Sequence, residues 1–174
     1  MRTNRIAVSA HVVNSMLLVA IFAFSVCVFD QLPNRVPAHY NFAGVPDRWT
    51  DTSMMGWLSV PLLFAGITAL FYGIALTLPW FRKRPQWINM PEESKKRFLA
   101  LDEEARGAAL RGMAAYLYWF PVSSSLMFLW MRYEEYRFIV LREPSFNGAW
   151  AIGIIIAGLA ITTIAMLRGI KRLV

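Results

Sequence analysis

Four long blocks of apolar residues, 7–29, 55–79, 112–131 and 148–167, dominate the chain, and each is apolar around its whole circumference instead of along one stripe. Roughly 20 apolar residues cross a bilayer core as a helix, whereas the helices of a soluble all-α protein would carry charged faces. The pattern predicts an all-α membrane protein, one integral domain over 1–174 with four transmembrane helices, an outer loop over 30–54 and a cytoplasmic segment over 80–111.

Between the first two blocks the period changes. Val36, Ala38, Tyr40 and Phe42 alternate with polar positions, Leu32-Pro33 and Val36-Pro37 enforce extended backbone ahead of each proline, and Ala43-Gly44 supplies a turn. The stretch VPDRWT then runs back, so a small extracytoplasmic β-hairpin cap is expected between helices 1 and 2. Alternation would put His39 and Asn41 on one face, Tyr40 and Phe42 on the other, and return Asp47 and Arg48 beside them.

Composition agrees, with 57% hydrophobic, 14% aromatic and only 17% charged residues. Charge adds orientation. Arg2 and Arg5 precede the first block, eight basic residues lie between the second and third, and Arg168, Lys171 and Arg172 follow the fourth. Only Arg35, Arg48, Arg132, Arg137 and Arg142 of the 18 remain for the other two loops. The positive-inside bias therefore predicts cytoplasmic N and C termini in a bacterial inner membrane. The net charge of +7 reads as topology, and no nucleic-acid partner is expected. Arg2, Arg5 and Ala23-Phe24-Ser25 resemble a secretory signal, but the apolar run continues to Phe29, which favours a retained anchor. The single Cys27 cannot form an intrachain disulfide.

Polar and small residues inside the blocks are the next candidates. His11, the only side chain there that ionises near neutral pH, shares about one turn with Asn14 and Ser15, either as an intramembrane polar site or as hydrogen-bonding partners of a neighbouring helix. Gly66 and Gly73 could admit a close helix, Trp57 and Trp80 are placed as interfacial aromatics, and Ala149, Gly153 and Ala157 form a small-residue stripe for bundle packing or a homo-oligomer. In the cytoplasmic segment, Asn89 is a candidate cap for a short helix with Pro91 in its first turn, and the basic run after it suits membrane lipids or a partner. Asp102 can cap a following helix, which Pro121 should kink. Residues 133–141 are read either as a helical extension or as a strand, and their alternation leans toward strand.

Catalytic patterns are weak: HExxH, GxSxG, CxxC and phosphate-binding glycine loops are all missing from the sequence. His39 with Asp47, and with Asp30 or Asp51, could offer nitrogen and oxygen to zinc, yet hydrogen bonding within the hairpin is the favoured role. No metal or cofactor is expected.

The set Leu32-Pro33, Pro37, His39, Asn41, Gly44, Pro46-Asp47 and Trp49 resembles the signature of a bacterial membrane domain of unknown function, family 1648, found at the N-terminus of SdpI-type immunity proteins. Ile88-Asn89-Met90-Pro91 with Phe98 and Leu101 is similar to the segment that family carries after its second span. The resemblance covers roughly the first two-thirds of the chain and implies a membrane protein related to ones that protect cells from a secreted peptide toxin. SdpI-type proteins continue into a second membrane module that these 174 residues do not reach. The favoured expectation is a non-enzymatic immunity or envelope-sensing protein that meets a peptide or envelope protein through loop 30–52. A small transporter subunit or accessory protein is the alternative, and a metal-dependent membrane enzyme using His39 is the third reading. A cysteine placed at Asn41 should react with a membrane-impermeant reagent added outside the cell, and one at Lys95 only after the membrane is opened; the opposite pattern would reverse the orientation.

Overall fold

The computed structural model describes residues 2–41 and 44–143, together with 153, 156–161, 163, 164, 167 and 168. Helix α1 (Arg2–Cys27) is followed by a 3-10 turn at Phe29–Gln31 and by strands β1 (Arg35–Tyr40) and β2 (Pro46–Asp51). Helix α2 (Met54–Thr77) leads through 3-10 turns at Leu78–Lys83 and Pro85–Trp87 to α3 (Glu92–Ala100), α4 (Glu103–Leu117) and α5 (Phe120–Ile139). The protein is mostly helical, with a two-stranded antiparallel hairpin between its first two long helices. Among the described residues two stretches, Arg5–Gln31 and Met54–Lys83, are long and apolar enough to cross a membrane. Half of the fourth apolar block falls outside the described residues.

Local chemistry explains most boundaries. Ser53 Oγ accepts from the Gly56 amide at 3.1 Å and starts α2, and Asp102 Oδ1 accepts from the Ala105 amide at 2.8 Å and starts α4. Asn89 does not cap α3: Pro91 occupies that position without a side-chain bond, because its fixed φ already suits the helix entry. Where one kinked span was expected, α4 and α5 are separate helices, broken at Tyr118–Trp119 just ahead of Pro121. Residues 133–139 continue α5 as helix, correcting the lean toward strand: Arg132–Glu135 and Glu134–Arg137 are ion pairs at a spacing of three, which a helix aligns and a strand does not.

Two apolar clusters hold the ends of the bundle. At the hairpin end, Val28, Val36, Trp57 and Ile139 pack with Phe24, Leu32, Tyr136 and Phe138. At the opposite end, Ile88, Phe98, Ala109 and Leu110 pack with Phe81, Met90 and Leu101, so α3 folds back onto α4. Trp57 is thus core and not interfacial, because its ring closes the hairpin-end cluster. A Cβ at Gly66 or Gly73 would meet nothing within 4 Å, so the close helix contact expected there is not made among the described residues. Ala149 is outside the described residues, and Gly153 and Ala157 are exposed. The close approach falls at Gly158, where a Cβ would overlap Ser123 of α5. Gly158→Ala should therefore lower the thermal midpoint, by the equivalent of about 1–3 kcal/mol for overpacking, and Ser123→Gly in the same chain should restore part of the loss.

Candidate functional site

The hairpin-end site begins with the register of the strands. Arg35 pairs with Asp51, Val36 with Thr50 and Pro37 with Trp49; the register then skips Ala38 on β1, which brings His39 opposite Arg48, and Asp47 on β2, which brings Tyr40 opposite Pro46. Val36 and Pro37, ahead of these shifts, are both buried, and the shifts leave the two-face arrangement predicted for 39–42 only partly realised. Phe42 and Ala43 lie outside the described residues. Gly44 sits at φ 75°, the left-handed conformation that glycine adopts without a Cβ penalty, and its amide donates to the Asn41 carbonyl at 2.9 Å. The Val45 amide donates to Asn41 Oδ1 at 3.0 Å, closing the turn.

His39 Nδ1 stands 2.6 Å from Asp47 Oδ1. A carboxylate only accepts, so Nδ1 carries the proton and Nε2 faces away from the pair. The expected link between the two strands is therefore present. Asp51 is 3.6 Å from Arg35, and among the described residues no group of three His, Cys, Asp or Glu is gathered as a metal site would need. Tyr40 turns to the bundle, its ring 6.3 Å from that of Phe138, and burial with the nearby Glu135 carboxylate raises its phenol above the ordinary range. Between hairpin and α5 lies a cleft of about 280 Å³ lined by Pro33, Trp49, Phe138, Ile139, Arg142 and Glu143. Trp49 is 45% exposed on its wall, and Arg142 is held at φ 58°. Arg137 bonds both Glu134 and Glu143, which fixes the far wall.

Below the cleft is an arrangement the sequence reading did not anticipate. Pro61 inside α2 has no amide proton, which leaves the Trp57 carbonyl without its helical donor. Arg132 of α5, only 2% exposed, fills the gap: Nη2 donates to that carbonyl at 2.9 Å, Nη1 donates to Glu135 Oε2 at 2.7 Å, and the guanidinium carbon lies 3.8 Å from the Trp57 ring centroid. Trp57 Nε1 in turn donates to the Ser25 carbonyl at 2.9 Å, near the end of α1. The pairing of a helix-interior proline with a cation at the edge of another apolar block was the available clue. Burial raises the Glu135 carboxyl above its ordinary value, and the Arg132 charge opposes that rise.

His11 and Asn14 meet a second gap. The break before Pro121 turns the Val122 amide to the Trp119 carbonyl, so the Tyr118 carbonyl loses its donor. Asn14 Nδ2 donates to it at 2.7 Å and also lies 3.1 Å from the Tyr72 hydroxyl, which is 2.9 Å from His11 Nδ1. His11, Tyr72 and Tyr118 rings cluster with centroids 4.5 to 5.1 Å apart. Ser15 points out of this cluster and is exposed. The Ser123 and Ser125 hydroxyls donate to carbonyls of their own helix, Phe120 and Pro121, and not across the bundle. Asn14 Oδ1, the Thr68 hydroxyl and Arg132 Nε are buried without a partner among the described residues. Asn89 and Pro91 lie at the opposite end, outside both arrangements.

Residues 16–65 match the model of a family described as Domain of unknown function (DUF1648). That range runs from the middle of α1 through the hairpin to the middle of α2, and stops short of the 88–101 motif. No curated protein and no solved structure matches the chain.

Replacing Arg132 with Met should cost about 3–5 kcal/mol, the usual penalty for leaving a buried partner unpaired. It also removes the charge that holds the Glu135 carboxyl down. A carboxyl whose folded value lies above its unfolded one favours the fold at low pH and loses that contribution as pH rises through the folded value. The Arg132→Met chain should therefore become more stable as pH is lowered from neutral toward the ordinary carboxyl range, a slope that Glu135→Gln abolishes when thermal midpoints are compared across pH.

Proposed function

We propose that the chain is a non-enzymatic, four-span protein of the bacterial inner membrane with both termini cytoplasmic, and that its hairpin end receives a peptide or envelope protein on the outer side, in an SdpI-like immunity or sensing role. The cleft between Trp49 and Phe138 carries this reading. It joins an exposed indole, an apolar floor and the Arg142 cation, a combination suited to an extended peptide that offers an apolar side chain beside a carboxylate. The hairpin wall is ordered by its own turn and by the His39–Asp47 link, so little ordering cost falls on binding. The 16–65 family match supports the hairpin as the unit of function, and the 13 basic residues assigned to cytoplasmic segments, out of 18, support the orientation.

A small transporter subunit or accessory role is the second reading, favoured by the polar cluster of His11, Asn14 and Tyr72 beside the helix break. A strain lacking the chain, complemented with native, Trp49→Ala, Arg142→Ala or Asn14→Leu chains at matched membrane abundance, and challenged with peptides secreted by its own and neighbouring strains, separates the two. The proposal expects both cleft variants to lose protection at least tenfold in survival, on the order of one hot-spot residue each, while Asn14→Leu retains it. Full protection by both cleft variants would overturn it, and a phenotype tied to Asn14 alone would favour transport.

A further inference from the structure

Beyond α2 the chain leaves the helix by its two 3-10 turns, which direct Phe81 and Ile88 into the core formed with Phe98 and Leu110. The residues between them are left outside. Trp80 is 84% exposed and Trp87 63%, and Lys83 and Arg84 are exposed between them. Three neighbouring cations are already matched: Arg82 lies 3.3 Å from Glu103, Lys96 3.8 Å from Glu92 and Arg97 2.7 Å from Glu93. Among the described residues Lys83 and Arg84 have no acidic partner. Arg84 is instead placed over the Trp87 ring, 5.0 Å from its centroid.

Two water-facing indoles thus bracket two uncompensated cations, directly at the end of a stretch long and apolar enough to cross a membrane. Indoles favour the boundary between hydrocarbon and headgroups, and unpaired basic residues there attract anionic lipid. We propose that Trp80, Lys83, Arg84 and Trp87 form a binding site for the headgroup of an anionic phospholipid, with the cations on the phosphate and the indoles at the acyl boundary. A soluble phosphate would use the cations and leave both indoles in water; a lipid uses all four side chains. The stacked Arg84 gives the phosphate a donor whose position is set before the lipid arrives.

The full chain in nanodiscs of phosphatidylcholine, with and without phosphatidylglycerol, tests this by native mass spectrometry and by indole quenching with brominated lipids. The native chain should retain phosphatidylglycerol in preference to phosphatidylcholine. The Lys83→Ala/Arg84→Ala chain should lose about tenfold or more of that preference, and Arg97→Ala, whose cation is already paired, should keep it. Brominated phosphatidylglycerol should quench a component of the emission that Trp80→Phe/Trp87→Phe removes. Equal retention of the two lipids, equal loss in Arg97→Ala, an unchanged quenching component, or displacement of the lipid by inorganic phosphate would each overturn the proposal. Insertion without preference overturns only this site, whereas failure of the native chain to insert overturns the membrane placement as well.

Discussion

The bond from Arg132 to the Trp57 carbonyl is the constraint on which the hairpin end depends. A backbone carbonyl without a donor is costly in apolar surroundings, and Pro61 creates one. Arg132 satisfies it from another helix and brings a charge with it, which requires Glu135; the Trp57 indole covers the guanidinium face and reaches the Ser25 carbonyl. Three helices are registered against one another by a chain of donors that starts from one missing amide proton. The hairpin then packs on this assembly through Val36 and Tyr40, so its position follows from the helices beneath it.

The same logic operates at the other gap with weaker materials. Asn14 serves the Tyr118 carbonyl as Arg132 serves that of Trp57, but through a neutral amide and a tyrosine hydroxyl. A charged donor gives roughly twice the strength of a neutral one. The hairpin end and the turn from α4 into α5 are therefore stitched by unequal bonds of the same kind.

Much of the hairpin was legible because its signals are local. Pro33, Pro37, Gly44 and Asn41 impose backbone conformations within a few residues, and His39 and Asp47 are brought together by the turn between them. The bulge at Ala38 was not legible, since strict alternation carries no mark of an inserted residue. The buried arginine and the polar cluster were hidden for another reason. Pro61 announces that the Trp57 carbonyl will need a donor, and the break ahead of Pro121 leaves the Tyr118 carbonyl without one, but the donors lie 75 and 104 residues away, and periodicity within one helix does not name a partner on another. Of the two readings of 133–141, helical extension holds and the lean toward strand failed, because alternation over a few positions was set against ion pairs at helical spacing, which specify the conformation more strongly.

The two stitches meet on one helix. Hairpin, α1, α2 and the far half of α5 are joined by the charged stitch, whereas α4 turns into α5 through Tyr118 and Trp119, where the Asn14 amide donates to the Tyr118 carbonyl and the Trp119 indole donates to the Ile6 carbonyl. Helix α1 is thus a common rail: through Ser25 it meets the hairpin-end stitch, and through Ile6 and Asn14 it holds both residues of the turn from α4 into α5.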